Sequence, residues 1–274
     1  MGKMTKRIVF GALLIAALSA LLVLDTWLGK TRPDLPVGLA VACLLALLAL
    51  AAFVEVRAMI NKSGGAVLGI SGLLGSMAIA VLPLFGKPEL VSVALVVLLV
   101  FIEQMIRFRK EGAVARLGGT ILAIGYVGVG MAMILSIRTG YGMGMLVFFV
   151  AAVKFTDIGA YFTGTMIGRH KLIPWLSPGK SWEGLAGGLV AAVAVSFAMN
   201  AVLGLALSAG AVAALAVTAA IAGQFGDLCE SLLKRSAGVK DSGSLVPEFG
   251  GVLDMIDSPL LAAGPVLAML SLLA

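Results

Sequence analysis

The sequence predicts an all-α protein, a polytopic membrane bundle of about nine transmembrane helices whose N-terminus is cytoplasmic. Of its 274 residues, 61% are hydrophobic and 12% are charged, whereas a soluble domain has about 25% charged residues. The mean hydropathy is +1.11. Apolar stretches long enough to cross roughly 30 Å of hydrocarbon recur along the whole chain. Together these observations indicate an integral membrane protein.

The first predicted helix follows a short basic segment, Met1 to Arg7, and is a long apolar run from 8 to 27. A cleaved signal peptide would have a shorter apolar core and a small-residue cleavage site, so we interpret this run as part of the mature protein. Short linkers between the later spans indicate antiparallel neighbours. Those spans are 37–55, 66–86, 89–105, 117–137, 144–168, 184–207, 210–233 and 259–274.

The distribution of cations predicts the orientation of these spans. With the N-terminus in the cytoplasm, fifteen of the 20 lysines and arginines fall in inside segments and four in outside segments. The remaining cation, Lys154, lies within a span. Because cytoplasmic loops are enriched in cations, this arrangement is strongly favoured over the inverted one. The net charge of +6 is then one-sided, which suits an anionic lipid surface and anionic substrates without requiring nucleic acid.

The acids divide the chain into two functional regions. Residues 1–140 have few intramembrane charges, whereas residues 150–258 hold eight of the 14 acids. We therefore predict an N-terminal scaffold of transmembrane helices over 1–140, followed by a catalytic region with cytoplasmic loops over 141–274. Charge beside hydrocarbon is costly, and it indicates a functional site by default.

The sixth span places several polar and small residues on one helical face. Lys154, Asp157, Tyr161, Gly164 and Gly168 are separated by three, four, three and four residues, the spacing of a single face. We interpret this face as the wall of a polar cavity. The alternative is a buried ion pair that holds two helices together.

The loop after that span has the composition of a phosphate-binding site. Gly179-Lys180-Ser181 is similar to the end of a Walker A loop, but Pro174 stands where that motif needs a glycine, and no strand is predicted before it. We therefore reject an ATPase. A lysine, two hydroxyls and the start of the next helix still predict a phosphate cradle over 177–184. The alternative is a basic membrane-edge loop with Trp182 as its anchor. We assign no chemistry to His170.

Two helix ends near the C-terminus carry acids in helical register. Asp227, Glu230 and Lys234 share a face of the eighth span, and Asp254 and Asp257 form a second pair just before Pro259. Three aspartates from two helix ends suit Mg²⁺, which prefers carboxylate oxygens and keeps water or phosphate as its other ligands. The alternative for any one of these aspartates is a helix cap or a surface charge.

These residues resemble the signature of the phosphatidate cytidylyltransferase family, the CDP-diacylglycerol synthases. The positions in register are Ser231, Lys234, Arg235, Lys240, Asp241, Pro247, Gly250, Gly251, Asp254 and Asp257. Upstream, Asp157–Tyr161 and Ser177–Gly184 are similar to two further segments that the family shares. The resemblance covers about residues 150–260.

The resemblance implies a membrane enzyme of phospholipid biosynthesis that condenses CTP with phosphatidic acid to give CDP-diacylglycerol and pyrophosphate. It implies a multi-pass protein of the bacterial plasma (inner) membrane whose active site faces the cytoplasm, and it is compatible with a homodimer. The implied catalytic residues are Asp227, Lys234, Arg235, Lys240, Asp241, Asp254 and Asp257. The implied substrate-binding residues are Lys154, Asp157, Tyr161, Ser177, Lys180, Ser181, Glu183, Ser231, Gly250 and Gly251. The implied ligands of one or two metal cations, Mg²⁺ among them, are Asp227, Asp254 and Asp257.

The chain departs from the family signature at three positions. Phe249 replaces a histidine, Glu248 replaces a glycine, and Met255 replaces an arginine. These changes leave open a related nucleotidyltransferase or kinase that acts on another membrane lipid. A secondary transporter and a non-catalytic scaffold are the alternatives from other classes, although only Lys154 and Asp157 have the mid-membrane position typical of transporter sites.

Overall fold

A computed structural model describes residues 3–86, 90–107, 110–246 and 250–273, and it confirms the all-α membrane architecture. Within these ranges, six helices are long and apolar enough to cross a membrane. Two shorter apolar helices, Ile70–Phe85 and Val91–Ile106, accompany them. The number of spans and the cytoplasmic N-terminus stay predictions. Glu89 and Ala274, at the ends of two predicted spans, lie outside the described residues.

The described helices follow the predicted spans closely. Their bounds are α1 Lys3–Thr31, α2 Leu39–Lys62, α3 Ile70–Val81, α4 Leu90–Ile106, α5 Ala113–Ala123, α6 Gly130–Ile167, α7 Trp182–Leu203, α8 Ala209–Ser236 and α9 Leu253–Leu273. A 3₁₀ turn, Leu82–Phe85, follows α3, and a π-helical turn, Ile124–Val129, joins α5 to α6.

Two of the differences from the predicted bounds occur at residues with special backbone properties. The predicted break between 137 and 144 is reduced to Gly142, whose φ of 87° interrupts the otherwise continuous α6. The last helix begins at Leu253, six residues before Pro259, so that this proline lies inside α9. Asp254 consequently occupies the first turn of the helix, where a carboxylate is favoured.

A small antiparallel sheet lies between α6 and α7, where the sequence predicted only a loop. Strand β1, Lys171–Ile173, pairs with strand β2, Ser177–Ser181. Lys171 stands opposite Ser181, and Ile173 stands opposite Ser177. The sheet does not restore the ATPase interpretation, because Pro174 still occupies a position that the Walker A loop reserves for glycine.

The chain folds into two compact units, of which the first comprises residues 1–135 and 236–255. A buried carboxylate organises its N-terminal helices: Asp25 is 1% exposed and accepts hydrogen bonds from the backbone N–H groups of Ala40 and Val41 at the start of α2. A hydrophobic core packs α3, α4 and the helices that follow them. Its buried members are Leu68, Ile79, Val96, Val100, Ile124 and Ala132.

The second unit comprises residues 136–235 and 256–274. Its helices α6 and α7 approach at the level of their backbones. A Cβ atom at Gly159 would lie 2.8 Å from the carbonyl oxygen of Gly187, and one at Gly188 would lie 2.8 Å from that of Thr156. Small residues permit such close approach of membrane helices. The functional division at residue 140 stays a prediction.

Candidate active site

The second unit contains a group of three carboxylates suited to a metal ion. Asp227 and Glu230 come from α8 and Asp257 from α9, and each offers an oxygen within 4.8 Å of the others. Glu230 is 1% exposed and Asp257 is 6% exposed, whereas Asp227 is half-buried. Clustered carboxylate oxygens are the donors that Mg²⁺ prefers.

A glycine brings the two helices of this group together. A Cβ atom at Gly226 would lie 2.7 Å from the carbonyl oxygen of Asp257 and 3.0 Å from the Cα atom of Ser258. Any larger residue at position 226 would therefore force α8 and α9 apart. The glycine directly before Asp227 thus places that aspartate beside Asp257.

Two lysines pair with the carboxylates of α8. The Nζ atom of Lys180, on β2, lies 2.9 Å from Asp227 Oδ2 and donates to the carbonyl oxygen of Gln224 at 3.1 Å. Lys234 lies one turn after Glu230 and donates to its Oε2 atom at 2.5 Å. Charge-assisted contacts of this kind are about twice as strong as neutral hydrogen bonds, so they hold the carboxylates in place.

Helix α6 adds the predicted pair of Lys154 and Asp157 to this site. Lys154 Nζ lies 3.9 Å from Asp157 Oδ2, as their spacing suggested. Gln224, which is buried, donates from Nε2 to Asp157 Oδ1 at 3.3 Å. Tyr161 is 67% exposed, so it lies at the surface of the unit and its place in a cavity stays a prediction.

The charges of this cluster nearly balance. Four carboxylates and three ammonium groups share it, namely Asp157, Asp227, Glu230, Asp257, Lys154, Lys180 and Lys234. Because opposite charges compensate one another, the cost of placing them between apolar helices is reduced. A divalent cation together with phosphate groups could enter such a site without leaving a large uncompensated charge.

Two residues of the predicted phosphate cradle, at the end of β2 and the start of α7, also support the local structure. Ser181 is the N-cap of α7, and its hydroxyl oxygen accepts from Gly184 N at 3.1 Å. Glu183 accepts from the backbone N–H groups of Arg169 and His170. The His170 ring nitrogen lies 2.5 Å from Glu183 Oε1. Glu183 therefore joins the end of α6 to the start of α7.

The remaining signature residues of α8 and β2 lie around these contacts. Ser231 donates to Asp227 Oδ1 at 3.4 Å. Arg235 donates from Nε to the carbonyl oxygen of Leu176 at 3.5 Å, so it contacts the hairpin. Ser177 is half-buried opposite Ile173. Their roles with substrate stay predictions.

Five further signature residues belong to the first unit: Lys240, Asp241, Gly250, Gly251 and Asp254. Asp254 Oδ2 accepts from Ser242 N at 2.9 Å, from Ser242 Oγ at 2.8 Å and from Gly251 N at 2.8 Å. Gly250 has a φ of 100°, and a Cβ atom there would lie 2.7 Å from Asp254 Oδ2. Asp254 thus acts as a cap within its own loop. Lys240 and Asp241 are exposed.

Sequence reasoning placed Asp227 and Asp257 in one site but omitted some of their partners. Glu230 was noted on the face of α8 and was not assigned to the metal, although its oxygen completes the described group. Gln224 and Ser258 were not singled out. The sequence indicated only that each of them is a polar residue within an apolar helix. Pro247, Glu248 and Phe249 lie outside the described residues.

Comparison with known proteins identifies a family. The model of the cytidylyltransferase family matches residues 5–273. Phosphatidate cytidylyltransferase of Staphylococcus saprophyticus is 31% identical over 219 residues, which cover 76% of this chain and 82% of the relative. That of Staphylococcus epidermidis is 31% identical over 235 residues, 82% of this chain and 88% of the relative. That of Haemophilus influenzae is 45% identical over 130 residues, 46% of this chain and 44% of the relative.

Proposed function

The chain belongs to the cytidylyltransferase family, and we propose that it condenses CTP with phosphatidic acid to give CDP-diacylglycerol and pyrophosphate. Relatives that align with most of their length are named for the phosphatidate reaction, which favours an enzyme over a transporter or a scaffold. The observation that supports this chemistry is the group of Asp227, Glu230 and Asp257 with lysines beside it.

The reaction requires alignment and charge neutralisation rather than a protein nucleophile. A phosphate oxygen of phosphatidic acid attacks the α-phosphorus of CTP, a new P–O bond forms, and the bond to the leaving pyrophosphate breaks. Phosphoryl transfer of this kind depends mainly on positioning and electrostatic stabilisation. In this proposal Lys180 and Lys234 neutralise the phosphates, and Lys154, Asp157 and Tyr161 line the lipid side. Arg235 and Lys240 are proposed to neutralise phosphate charge as well. Asp241 is proposed as a further catalytic residue.

We assign Mg²⁺ to Asp227, Asp257 and Glu230, because these three carboxylates have adjacent oxygens and the donor chemistry fits the ion. When bound, Mg²⁺ would supply charge stabilisation at the phosphate oxygens. Asp254 is kept as a predicted ligand of one of the two cations. Its Oδ2 atom accepts three hydrogen bonds within the first unit, so Asp254 stabilises its own loop whether or not it binds a cation.

We further propose that the protein is a multi-pass protein of the bacterial plasma membrane with its active site on the cytoplasmic side. CTP is soluble and phosphatidic acid is not, so a site at the inner membrane edge lets both substrates meet. The one-sided distribution of cations supports this orientation. A homodimer is the expected oligomer, and light scattering in detergent would measure it.

A second candidate function is that of a related nucleotidyltransferase or kinase that acts on another membrane lipid. It is favoured by Met255 and Phe249, which replace an arginine and a histidine of the family signature. Both replacements remove a group that could contact phosphate. A panel of lipid acceptors in the same assay separates the two candidates.

The decisive assay measures pyrophosphate release from CTP with dioleoyl phosphatidate, in Mg²⁺ and in EDTA. Asp227→Asn is expected to lower turnover at least about 100-fold, because it removes a proposed metal ligand. Asp34→Asn is the control, since this carboxylate is exposed and pairs with its neighbour Arg32 at 2.8 Å. Absence of CDP-diacylglycerol in the natural protein with any diacyl phosphatidate would overturn the proposal.

A further inference from the structure

One carboxylate of the N-terminal helices holds the start of α9. Glu55 lies on α2 and is 4% exposed. Its Oε1 atom accepts from Val252 N at 2.9 Å, and its Oε2 atom accepts from Leu253 N at 2.8 Å and from Ser242 Oγ at 2.9 Å. All three partners are donors, which matches an ionised carboxylate, an acceptor at both oxygens.

The loop is shaped to admit this carboxylate. A Cβ atom at Gly243 would lie 2.6 Å from Glu55 Oε1, and one at Gly251 would lie 2.5 Å from Oε2. Any other residue at either position would displace the carboxylate or the loop. Gly251, which the family resemblance assigned to substrate binding, therefore has a partner within the protein.

The same contacts connect Glu55 to an aspartate of the signature. The hydroxyl of Ser242 lies 2.9 Å from Glu55 Oε2 and 2.8 Å from Asp254 Oδ2. Because this hydroxyl has a single hydrogen, the two carboxylates share that hydrogen as acceptors. The position of Asp254 consequently depends on that of Glu55.

Helix capping alone is a weak reason to bury this charge. Near the N-terminus of α9 a neutral serine or asparagine would satisfy the free backbone N–H groups, whereas a carboxylate within a membrane helix is costly. The loop that Glu55 holds carries Lys240, Asp241 and Asp254 of the signature. Burial of the Glu55 carboxylate therefore has a second effect besides capping: it fixes the geometry of these residues.

We propose that Glu55 is a positioning residue for the cytidylyl transfer: through its three hydrogen bonds it fixes Ser242, Val252 and Leu253, and thereby the adjoining Asp254. This inference rests on the proposed function. It assigns a role in the reaction to a residue of the region that the sequence predicted to be scaffold only.

The test compares Glu55→Gln with Asp25→Asn in the full-length protein in detergent. Asp25 is a matched control, because it too is a buried carboxylate that accepts from backbone N–H groups at a helix start. Hydrogen exchange followed by mass spectrometry reports on the loop, and kcat/KM for CTP reports on the reaction.

For Glu55→Gln we expect exchange in peptides covering 250–255 to rise at least about tenfold, since an amide NH₂ then faces backbone donors. We expect kcat/KM for CTP to fall at least about tenfold, because misplaced groups lose alignment. For Asp25→Asn, faster exchange should be confined to the start of α2, and kcat/KM should stay within about twofold.

Several outcomes would overturn the inference. An unchanged exchange rate in Glu55→Gln would show that the carboxylate does not hold the loop. If exchange is faster in Glu55→Gln but kcat/KM is no lower than in Asp25→Asn, Glu55 has only a structural role as a cap. If Glu55→Gln does not fold, Gly243→Ala decides by the same two measurements, since its added methyl displaces the intact carboxylate. A natural protein without turnover would instead refute the proposed function.

Discussion

The change Asp257→Asn removes one charge from the carboxylate group while keeping the volume of the side chain. Asp257 is 6% exposed, and its oxygen lies within 4.8 Å of one from Asp227. Two unit charges at that separation repel by about 3.5 kcal/mol at an effective dielectric constant of about 20. Lys154 offsets part of this repulsion. The asparagine oxygen would still accept from Ser258 N, as Asp257 Oδ1 does at 2.6 Å.

This balance predicts opposite effects with and without metal. In EDTA, Asp257→Asn should be at least as stable as the natural protein, because one of two repelling charges is gone. With Mg²⁺ at about 100 times its Kd, the natural protein should gain about 2.7 kcal/mol of stability. The variant should lose most of that gain, and its turnover should fall at least about 100-fold.

Thermal unfolding in detergent, in EDTA and across a Mg²⁺ titration, measures the stability effect. Pyrophosphate release from CTP with phosphatidate measures turnover on the same samples. Asp34→Asn should behave like the natural protein in both assays, since its carboxylate is 59% exposed and lies beside Arg32. If Asp257→Asn keeps both its Mg²⁺ stabilisation and its turnover, the metal assignment is refuted.

Two further predictions concern the hairpin between α6 and α7. Lys180→Gln should raise the KM for CTP at least about tenfold, since it removes an ammonium group 2.9 Å from Asp227 and one charge contact is worth about 1.5–3 kcal/mol; an unchanged KM would contradict a role in triphosphate binding. Ser181→Ala should cost about 1 kcal/mol of stability in thermal unfolding, because it removes the N-cap of α7. Ser181→Thr should recover most of that loss, and equal losses in both variants would exclude capping as the cause.

Much of the fold and part of the candidate site were accessible from local patterns. Composition indicated the membrane class, and apolar runs located most helix ends to within about five residues. Helical spacing correctly placed Lys154 next to Asp157 and Lys234 next to Glu230, because residues three and four apart are neighbours on one helix. The predicted start of the last helix, at Pro259, is wrong, because α9 begins at Leu253.

Contacts between distant segments were not accessible in this way. Lys180 lies 47 positions before Asp227, yet the two side chains form an ion pair. Asp254 was predicted as a catalytic residue and metal ligand, with a helix cap as the alternative, but the sequence did not indicate that its carboxylate would accept from Ser242 and Gly251. The sequence analysis assigns no role to Glu55, whose partners are 187 to 198 residues away.

By itself, the sequence determined that this chain is a helical membrane protein and which acids and bases carry its polar chemistry. Both follow from local physical chemistry, namely the transfer of side chains into hydrocarbon and the 3.6-residue period of the helix. The tertiary structure decided which of those charges meet. Close contacts at Gly226 and Gly251 set the distances between carboxylates, and packing of that kind depends on the whole surface of each helix rather than on any short stretch of sequence.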